Sequence, residues 1–381
     1  MSDSNLKIGI TCYPTYGGSG VLATELGKQL ARCGHEIHFI TYALPYRLKD
    51  FCPDIYFHEV RVSTYPLFEY QPYTLALAVK MHEVINEYGL DLLHLHYAIP
   101  HAASAWIARQ MLEDENHPVR LITTLHGTDI TLVGQEESFK SITRFSIQHS
   151  DGVTAVSDSL RRQTLEIFRL DRPIEVIPNF VDTGVFRRRE DYDCCRSRLA
   201  AAGEKIIMHI SNMRPVKRLT DVVKIFARVV EKVRCRLVLV GDGPDRASAH
   251  NLARELGLGD RCVFLGAQEP VDSLLNLADL YLQPSETESF GLGILEALSI
   301  GVPVVATRCG GPEEVVVHGV NGYLSGVGDV DQMAADAVRL LTDKELYRSF
   351  SASARQRAID QFEIGKITRR YEDFYRSVLE Q

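Results

Sequence analysis

The sequence predicts an α/β protein of two doubly wound, Rossmann-like domains facing a central cleft. Three observations predict it. The chain has 381 residues, too many for one comfortable core and enough for two ordinary domains. Short apolar runs alternate with segments of helical periodicity, the pattern of parallel sheets covered by helices. The alternation stops once, over the polar stretch 181–204, and then restarts.

The first repeat is the clearest. Lys7 to Cys12 is an apolar run, followed by the turn Gly17-Gly18-Ser19-Gly20. From Val21 to Cys33, Leu22, Leu26 and Leu30 share one face, and Gly34 stands where a helix-terminating glycine belongs. Glu36 to Thr41 resumes a strand. Asp91 to His96, Leu121 to Leu125, Val153 to Val156 and Ile174 to Ile177 follow as strands. Residues 1–180 are expected to form the first domain and 181–204 a linker. In the second half, strands are expected at Ile206 to Ile210, Arg236 to Val240, Cys262 to Leu265, Asp279 to Gln283 and Pro303 to Thr307. Helices are expected over Asp221 to Val233 and from Phe290. The second domain should run from 205 to 362, with 363–381 a helix that packs back on the first domain.

Composition excludes several function classes. Hydrophobic residues make up 45% and charged residues 24%, and formal net charge is −8. Phosphate-backbone binding needs a basic face, so neither nucleic acid nor a membrane surface is an expected partner. No run approaches the ~18 apolar residues of a membrane span, and no signal peptide is read at the start. The eight cysteines include no C-x-x-C pair, so they read as reduced thiols of a cytoplasmic protein. His94, His96 and His101 do not make a zinc ligand set, because His94 and His96 alternate on an apolar strand. Asp191-x-Asp193 and Asp329-x-Asp331 sit in linker-like and helix-start contexts and are read as coincidental. No metal and no cofactor is expected.

Ligands of such sheets bind beyond the carboxyl ends of the strands, and the informative loops lie there. Glu288 and Glu296 are separated by seven residues, Ser289-Phe290-Gly291-Leu292-Gly293-Ile294-Leu295. The first falls in a glycine-containing loop, the second about one turn into the helix that follows. A helix N-terminus offers unpaired N–H groups and partial positive charge to a diphosphate. Glu296 could then accept from ribose hydroxyls and Glu288 from sugar hydroxyls. Gly17, Gly18 and Ser19, at a strand-to-helix turn, form an anion nest.

The Glu-x7-Glu segment, Gly241-Asp242-Gly243-Pro244 and Gly301-Val302-Pro303-Val304-Val305-Ala306-Thr307 together resemble the family-4 retaining glycosyltransferases of the GT-B fold. Three N-terminal blocks narrow the resemblance: Cys12-Tyr13-Pro14 with Gly17-Gly18-Ser19-Gly20, His94-Leu95-His96-Tyr97-Ala98-Ile99-Pro100-His101-Ala102, and Thr123 to Thr131. They are similar to the branch of that family that joins GlcNAc to L-malate in bacillithiol biosynthesis, and coverage runs from about residue 6 to about 375.

The resemblance implies a reaction: UDP-GlcNAc and L-malate give GlcNAc-α-malate and UDP. It implies that Glu288 and the N–H groups of Ser289, Phe290 and Gly291 meet the sugar, with Leu292 at the helix start, and that Glu296 holds the ribose. His126 should lie near the anomeric end and the 6-hydroxyl. Gly18 and Gly241 are expected beside the nucleotide sugar. Family members carry an Arg five residues before the lysine matched by Lys217, and this chain has Asn212 there. Either Arg214 or Arg218 would supply the missing charge. A second departure is the turn Gly310-Gly311-Pro312-Glu313-Glu314, where proline comes one residue early. For the acceptor, Ser19, Tyr97, Thr128 and Arg144 are expected to grip the two carboxylates. Related enzymes imply a homodimer. The family motif by itself also accommodates a hexosyltransferase with a lipid or polysaccharide acceptor, or a sugar-nucleotide-binding regulator without activity.

Overall fold

The computed structural model describes residues 5–15, 17–49, 51–62, 69–113, 119–131, 133–189 and 193–381. The chain divides into two compact units, 1–179 with 364–381, and 180–363.

The first unit holds a seven-stranded sheet: β1 (Lys7–Thr11), β2 (Glu36–Thr41), β3 (Ile55–Glu59), β4 (Leu92–His96), β5 (Arg120–Leu125), β6 (Gly152–Ala155) and β7 (Glu175–Val176). Its order is β3-β2-β1-β4-β5-β6-β7, with every pairing parallel. β4 is buried along its whole length, as a strand covered on both faces must be. β3 has no counterpart among the expected strands. It is an edge strand of mixed polarity, Ile-Tyr-Phe-His-Glu, with Tyr56 and Phe57 exposed. The helix Gly18–Arg32 begins within the expected glycine turn. Gly20 must be glycine, since a Cβ there would lie 2.2 Å from the Tyr13 carbonyl oxygen. The helix Ile364–Leu379 belongs to this unit: Tyr375 Oη is 2.7 Å from His94 Nδ1, and Glu372 is 2.9 Å from His35 Nε2.

The second unit holds six parallel strands: β8 (Lys205–Ile210), β9 (Cys235–Val240), β10 (Cys262–Gly266), β11 (Leu280–Gln283), β12 (Val304–Thr307) and β13 (Gly322–Ser325). Their order is β10-β9-β8-β11-β12-β13. One core packs the helix Leu219–Val229, through Val222, Val223 and Phe226, against Leu237 and Leu239 of β9. The stretch expected as a linker carries a short helix, Asp193–Leu199, and is tied to this unit. Arg189 N donates to Asn276 Oδ1 at 2.8 Å, and Arg196 pairs with Asp279 at 2.6 Å. Its polar residues are polar because they bind loop carbonyls and carboxylates, which periodicity does not register. Asp191 lies outside the described residues, as do the side chains of Asp193 and of the adjacent Cys194 and Cys195. Asp329 caps the helix Val330–Thr342, accepting from Gln332 N, while Asp331 pairs with Arg228.

In both sheets the strand order reverses beside the first strand, between β1 and β4 and between β8 and β11. Such a reversal opens a crevice at the carboxyl ends, and the loops singled out in the sequence leave those ends.

Candidate active site

In the second unit the loop after β11 places Glu288. Its Oε1 accepts from Lys217 Nζ, from Gln283 Nε2 and, at 2.9 Å, from Ser285 Oγ. Among the described residues no donor reaches Oε2. The side chains of Glu288 and Lys217 are only 11% and 18% exposed, so the ion pair is partly shielded from water and stronger than a surface pair. The carboxylate is therefore held by one oxygen.

The backbone around Glu288 is clamped. Glu288 forms a parallel bridge with Gly310, and Gly311 N donates to Glu288 O at 2.9 Å. A Cβ on Gly311 would lie 2.3 Å from the Phe290 backbone, which no shift of a side chain could relieve. The early proline has a local reason: Pro312 begins the short helix Pro312–Val315, where its missing N–H costs nothing.

The helix Leu292–Ile300 starts two residues after the expected Phe290. Gly291, at φ +95°, is its N-cap, and no side chain caps it. Its first N–H groups are thus without a side-chain acceptor, as anion binding at a helix start requires. Phe290 is buried edge-on against Phe362, which anchors the loop, while Ser289 is half-buried. Glu296 lies in the second turn, half-buried.

Lys217 and the two arginines left open beside it, Arg214 and Arg218, stand in different surroundings. Lys217 reaches Glu288. Arg218 is committed elsewhere, with Nε 2.7 Å from Asp221 Oδ2 and Nη1 3.5 Å from Glu286 Oε2. Arg214 is exposed and has no side-chain partner among the described residues, as is Asn212. Gly241, at φ +114°, lets the turn after β9 close on this loop: a Cβ would lie 1.8 Å from the Ser211 carbonyl oxygen.

In the first unit, three of the four expected acceptor residues meet at one hydroxyl. Tyr97 Oη lies 2.9 Å from Ser19 Oγ and also hydrogen-bonds the Thr128 side chain. Gly18 opens the same helix one residue earlier, exposed. Burial pushes the Tyr97 hydroxyl up to about 12, so it stays protonated and can donate. Tyr97 adopts φ +99°, a conformation that costs a non-glycine residue ~1–3 kcal/mol and clusters at functional sites. His126 follows β5, its Nε2 2.9 Å from His96 Nδ1. Burial pushes it down to about 3, so the ring is neutral at physiological pH. Arg144, the fourth, does not share that hydroxyl. It lies on the helix Glu137–Gln148, exposed, and lines an open cavity of about 490 Å³ with Lys140, Ser141, Phe168 and Arg169.

One residue of the site had no assigned role in the sequence. Asp129 is buried, and its carboxylate accepts from Gly127 N at 3.0 Å, His126 N at 3.3 Å and Ala98 N at 3.1 Å. It thereby ties the loop carrying His126 to the loop carrying Tyr97. The available signal was an acidic residue in the first turn of the helix Thr128–Thr131. Burial raises its carboxyl to about 6 against the pull of those N–H groups.

Comparison with known proteins matches both units. The family described as Glycosyltransferase Family 4 matches residues 16–185, and that described as Glycosyl transferases group 1 matches 196–357. N-acetyl-alpha-D-glucosaminyl L-malate synthase of Bacillus anthracis is 50% identical over 374 residues, covering 98% of this chain and 97% of that protein. Anabaena Alr3699/HepE, solved in complex with UDP and glucose, superposes with a TM-score of 0.81 at 21% identity, over 97% of this chain and 99% of that one. Sucrose-phosphate synthase of Thermosynechococcus elongatus does so with a TM-score of 0.81 at 20% identity, over 99% and 100%. These likenesses in structure establish the GT-B architecture. The identity at half of all aligned positions, sustained along nearly the whole of both sequences, establishes the rest: the chain belongs to the family-4 glycosyltransferases.

Proposed function

We propose that this chain transfers GlcNAc from UDP-GlcNAc to the hydroxyl of L-malate with retention, giving GlcNAc-α-malate and UDP, the first step of bacillithiol biosynthesis. The observation that carries the reading is the 50% identity over 98% of the chain to a relative named for that reaction. The Ser19–Tyr97–Thr128 cluster supports it, because a small diacid needs convergent hydroxyl donors.

The second unit holds the donor. Lys217, Arg214 and the N–H groups at the start of Leu292–Ile300 face the diphosphate, with Asn212, Arg218 and Gly241 lining the same loops. Glu296 accepts from the ribose. Glu288, held through Oε1, offers Oε2 to a sugar hydroxyl, beside the N–H groups of Ser289, Phe290 and Gly291. In the first unit, Ser19, Tyr97, Thr128 and Arg144 take the malate carboxylates, Gly18 borders the donor, and neutral His126 faces the sugar.

Retention by double displacement needs a carboxylate poised beneath the anomeric carbon. Glu288 is the carboxylate this reading sets beside the sugar: its Oε1 takes three donors, and its Oε2 is read as accepting a sugar hydroxyl rather than attacking carbon. The reaction therefore runs as same-face attack. The bond from the anomeric carbon to the β-phosphate oxygen breaks, the malate oxygen bonds to that carbon on the same face, and the malate proton passes to the departing phosphate. The cations and helix N–H groups stabilise the charge that develops on UDP, without a metal. The same reading takes the protein as a cytoplasmic homodimer. Among the described residues no helix is long and apolar enough to cross a membrane.

UDP release from UDP-GlcNAc tests the proposal. It should be slow alone, rise steeply with L-malate, and survive a chelator. Release that ignores malate but responds to a lipid or polysaccharide acceptor would refute it.

A further inference from the structure

The loop that presents Arg214 and Lys217 hangs from a buried histidine. His209, at the carboxyl end of β8, is fully enclosed. Its Nδ1 lies 2.8 Å from the carbonyl oxygen of Leu282 on β11, and its Nε2 lies 2.8 Å from Ser211 Oγ. Met213 N in turn donates to Ser211 Oγ at 3.2 Å.

The chemistry of these atoms fixes every role. A carbonyl oxygen only accepts, so Nδ1 carries the proton. Burial pushes the ring down to about 4, against the pull of the Leu282 carbonyl and with the opposite charges of Lys217 and Glu288 working against each other, so the ring is neutral and Nε2 is a bare acceptor. The Ser211 hydroxyl must then donate to Nε2, which leaves its lone pairs for the Met213 N–H.

That last bond matters because Met213 sits at φ +44°, with its side chain fully buried. A non-glycine residue holds a left-handed conformation only where its surroundings impose it. The surroundings here are specific. Asp245 N donates to Met213 O at 3.0 Å, and Gly243 passes so near that a Cβ would lie 2.1 Å from Asn212 O. Directly after this turn come Arg214 and the helical turn Pro215–Lys217.

We propose that His209 is a positioning residue for donor binding: through Ser211 it locks the turn at Met213 and so sets where Arg214 and Lys217 present charge to a nucleoside diphosphate. The assignment rests on the reading that the second unit binds UDP-GlcNAc.

The test uses the full chain and four variants. His209→Asn keeps an N–H for Leu282 O and loses the acceptor for Ser211. His209→Gln restores an acceptor near the Nε2 position. Ser211→Ala removes the hydroxyl, and H209N/S211A removes both partners. UDP affinity is read by calorimetry, and KM for UDP-GlcNAc and malate by steady-state kinetics. A lost hydrogen bond of ordinary strength weakens binding by about 5- to 10-fold. His209→Asn and Ser211→Ala should each raise the UDP Kd and the UDP-GlcNAc KM by that factor and leave malate KM within about twofold. The double variant should be no worse than either single one, and His209→Gln should recover at least half of the loss. Equal effects on malate KM, additive losses, or UDP Kd unchanged in both single variants would overturn the proposal. Nitrogen-15 NMR of the wild type needs no variant: His209 should carry its proton on Nδ1, and a proton on Nε2 would overturn it too. If the wild type itself failed to bind UDP, the donor reading would fall instead, with the NMR result still deciding the hydrogen-bond roles.

Discussion

Replacing Glu288 with glutamine keeps the side chain's shape and removes its charge. Oε1 now accepts bonds from Lys217, Gln283 and Ser285. An amide oxygen can still accept from the two neutral donors, but the Lys217 ammonium loses its counter-charge. Breaking a buried ion pair costs ~3–5 kcal/mol. These side chains retain 11% and 18% exposure, so solvent screening reduces the expected cost to about 1–2 kcal/mol. For a unit of this size that lowers its thermal midpoint by roughly 2–8 °C. The effect on function should be larger and selective. The bond from Oε2 to a sugar hydroxyl is charge-assisted, worth ~1.5–3 kcal/mol, so kcat/KM for UDP-GlcNAc should fall roughly 10- to 100-fold. UDP lacks the sugar, and a Lys217 released from Glu288 is freer to meet phosphate. Calorimetric UDP affinity should therefore hold or improve while turnover collapses. If UDP and UDP-GlcNAc weakened in parallel, Glu288 would be a prop for the phosphate loop, and its assignment to the sugar would be wrong.

Four further outcomes follow from the same geometry. Tyr97→Phe removes the hydroxyl shared by Ser19 and Thr128, and should raise malate KM about 10-fold with UDP affinity unchanged; steady-state kinetics and calorimetry check both halves. Arg144→Ala should raise malate KM far more than UDP-GlcNAc KM, and equal effects would move Arg144 out of the acceptor group. Gly241→Ala places a Cβ against the Ser211 carbonyl at φ +114°, which should destabilise the second unit by at least ~2–3 kcal/mol and abolish UDP binding, seen by calorimetry and thermal melting. Asp129 holds its proton up to about pH 6 when folded, against 3.8 for the ordinary group. The folded chain thus binds more protons than the unfolded one between those values and should lose stability as pH rises through that window. Asp129→Asn should flatten that slope in melts taken from pH 4 to 7.

The strands of both sheets were legible wherever burial on two faces makes an apolar run. Glu36–Thr41 and Pro303–Thr307 match the structure to within a residue. β3 escaped because its exposed edge lets polar and aromatic residues alternate without a hydrophobic signal. β13 escaped because its buried residues, Gly-Tyr-Leu-Ser, include a single aliphatic side chain and so make no apolar run. At the site, Glu288 and Lys217 were found from spacing and resemblance, and the structure joins them. That Arg218 pairs with Asp221 and Glu286 while Arg214 stands exposed was not legible, because those carboxylates lie a turn and a strand end away. Asp129 and His209 were missed for a related reason. Their partners are backbone groups and a hydroxyl brought together by strand order, of which the chain shows at most the acidic residue in the first turn of Thr128–Thr131.

The central claim is that two sets of residues, one in each unit, join one sugar to one small diacid. Incubation with UDP-GlcNAc and L-malate, followed by mass spectrometry and proton NMR of the product, tests it most directly. The account predicts a single conjugate of GlcNAc and malate with an α anomeric coupling, formed mole for mole with UDP. Free GlcNAc alongside UDP, or a β-linked conjugate, would contradict it.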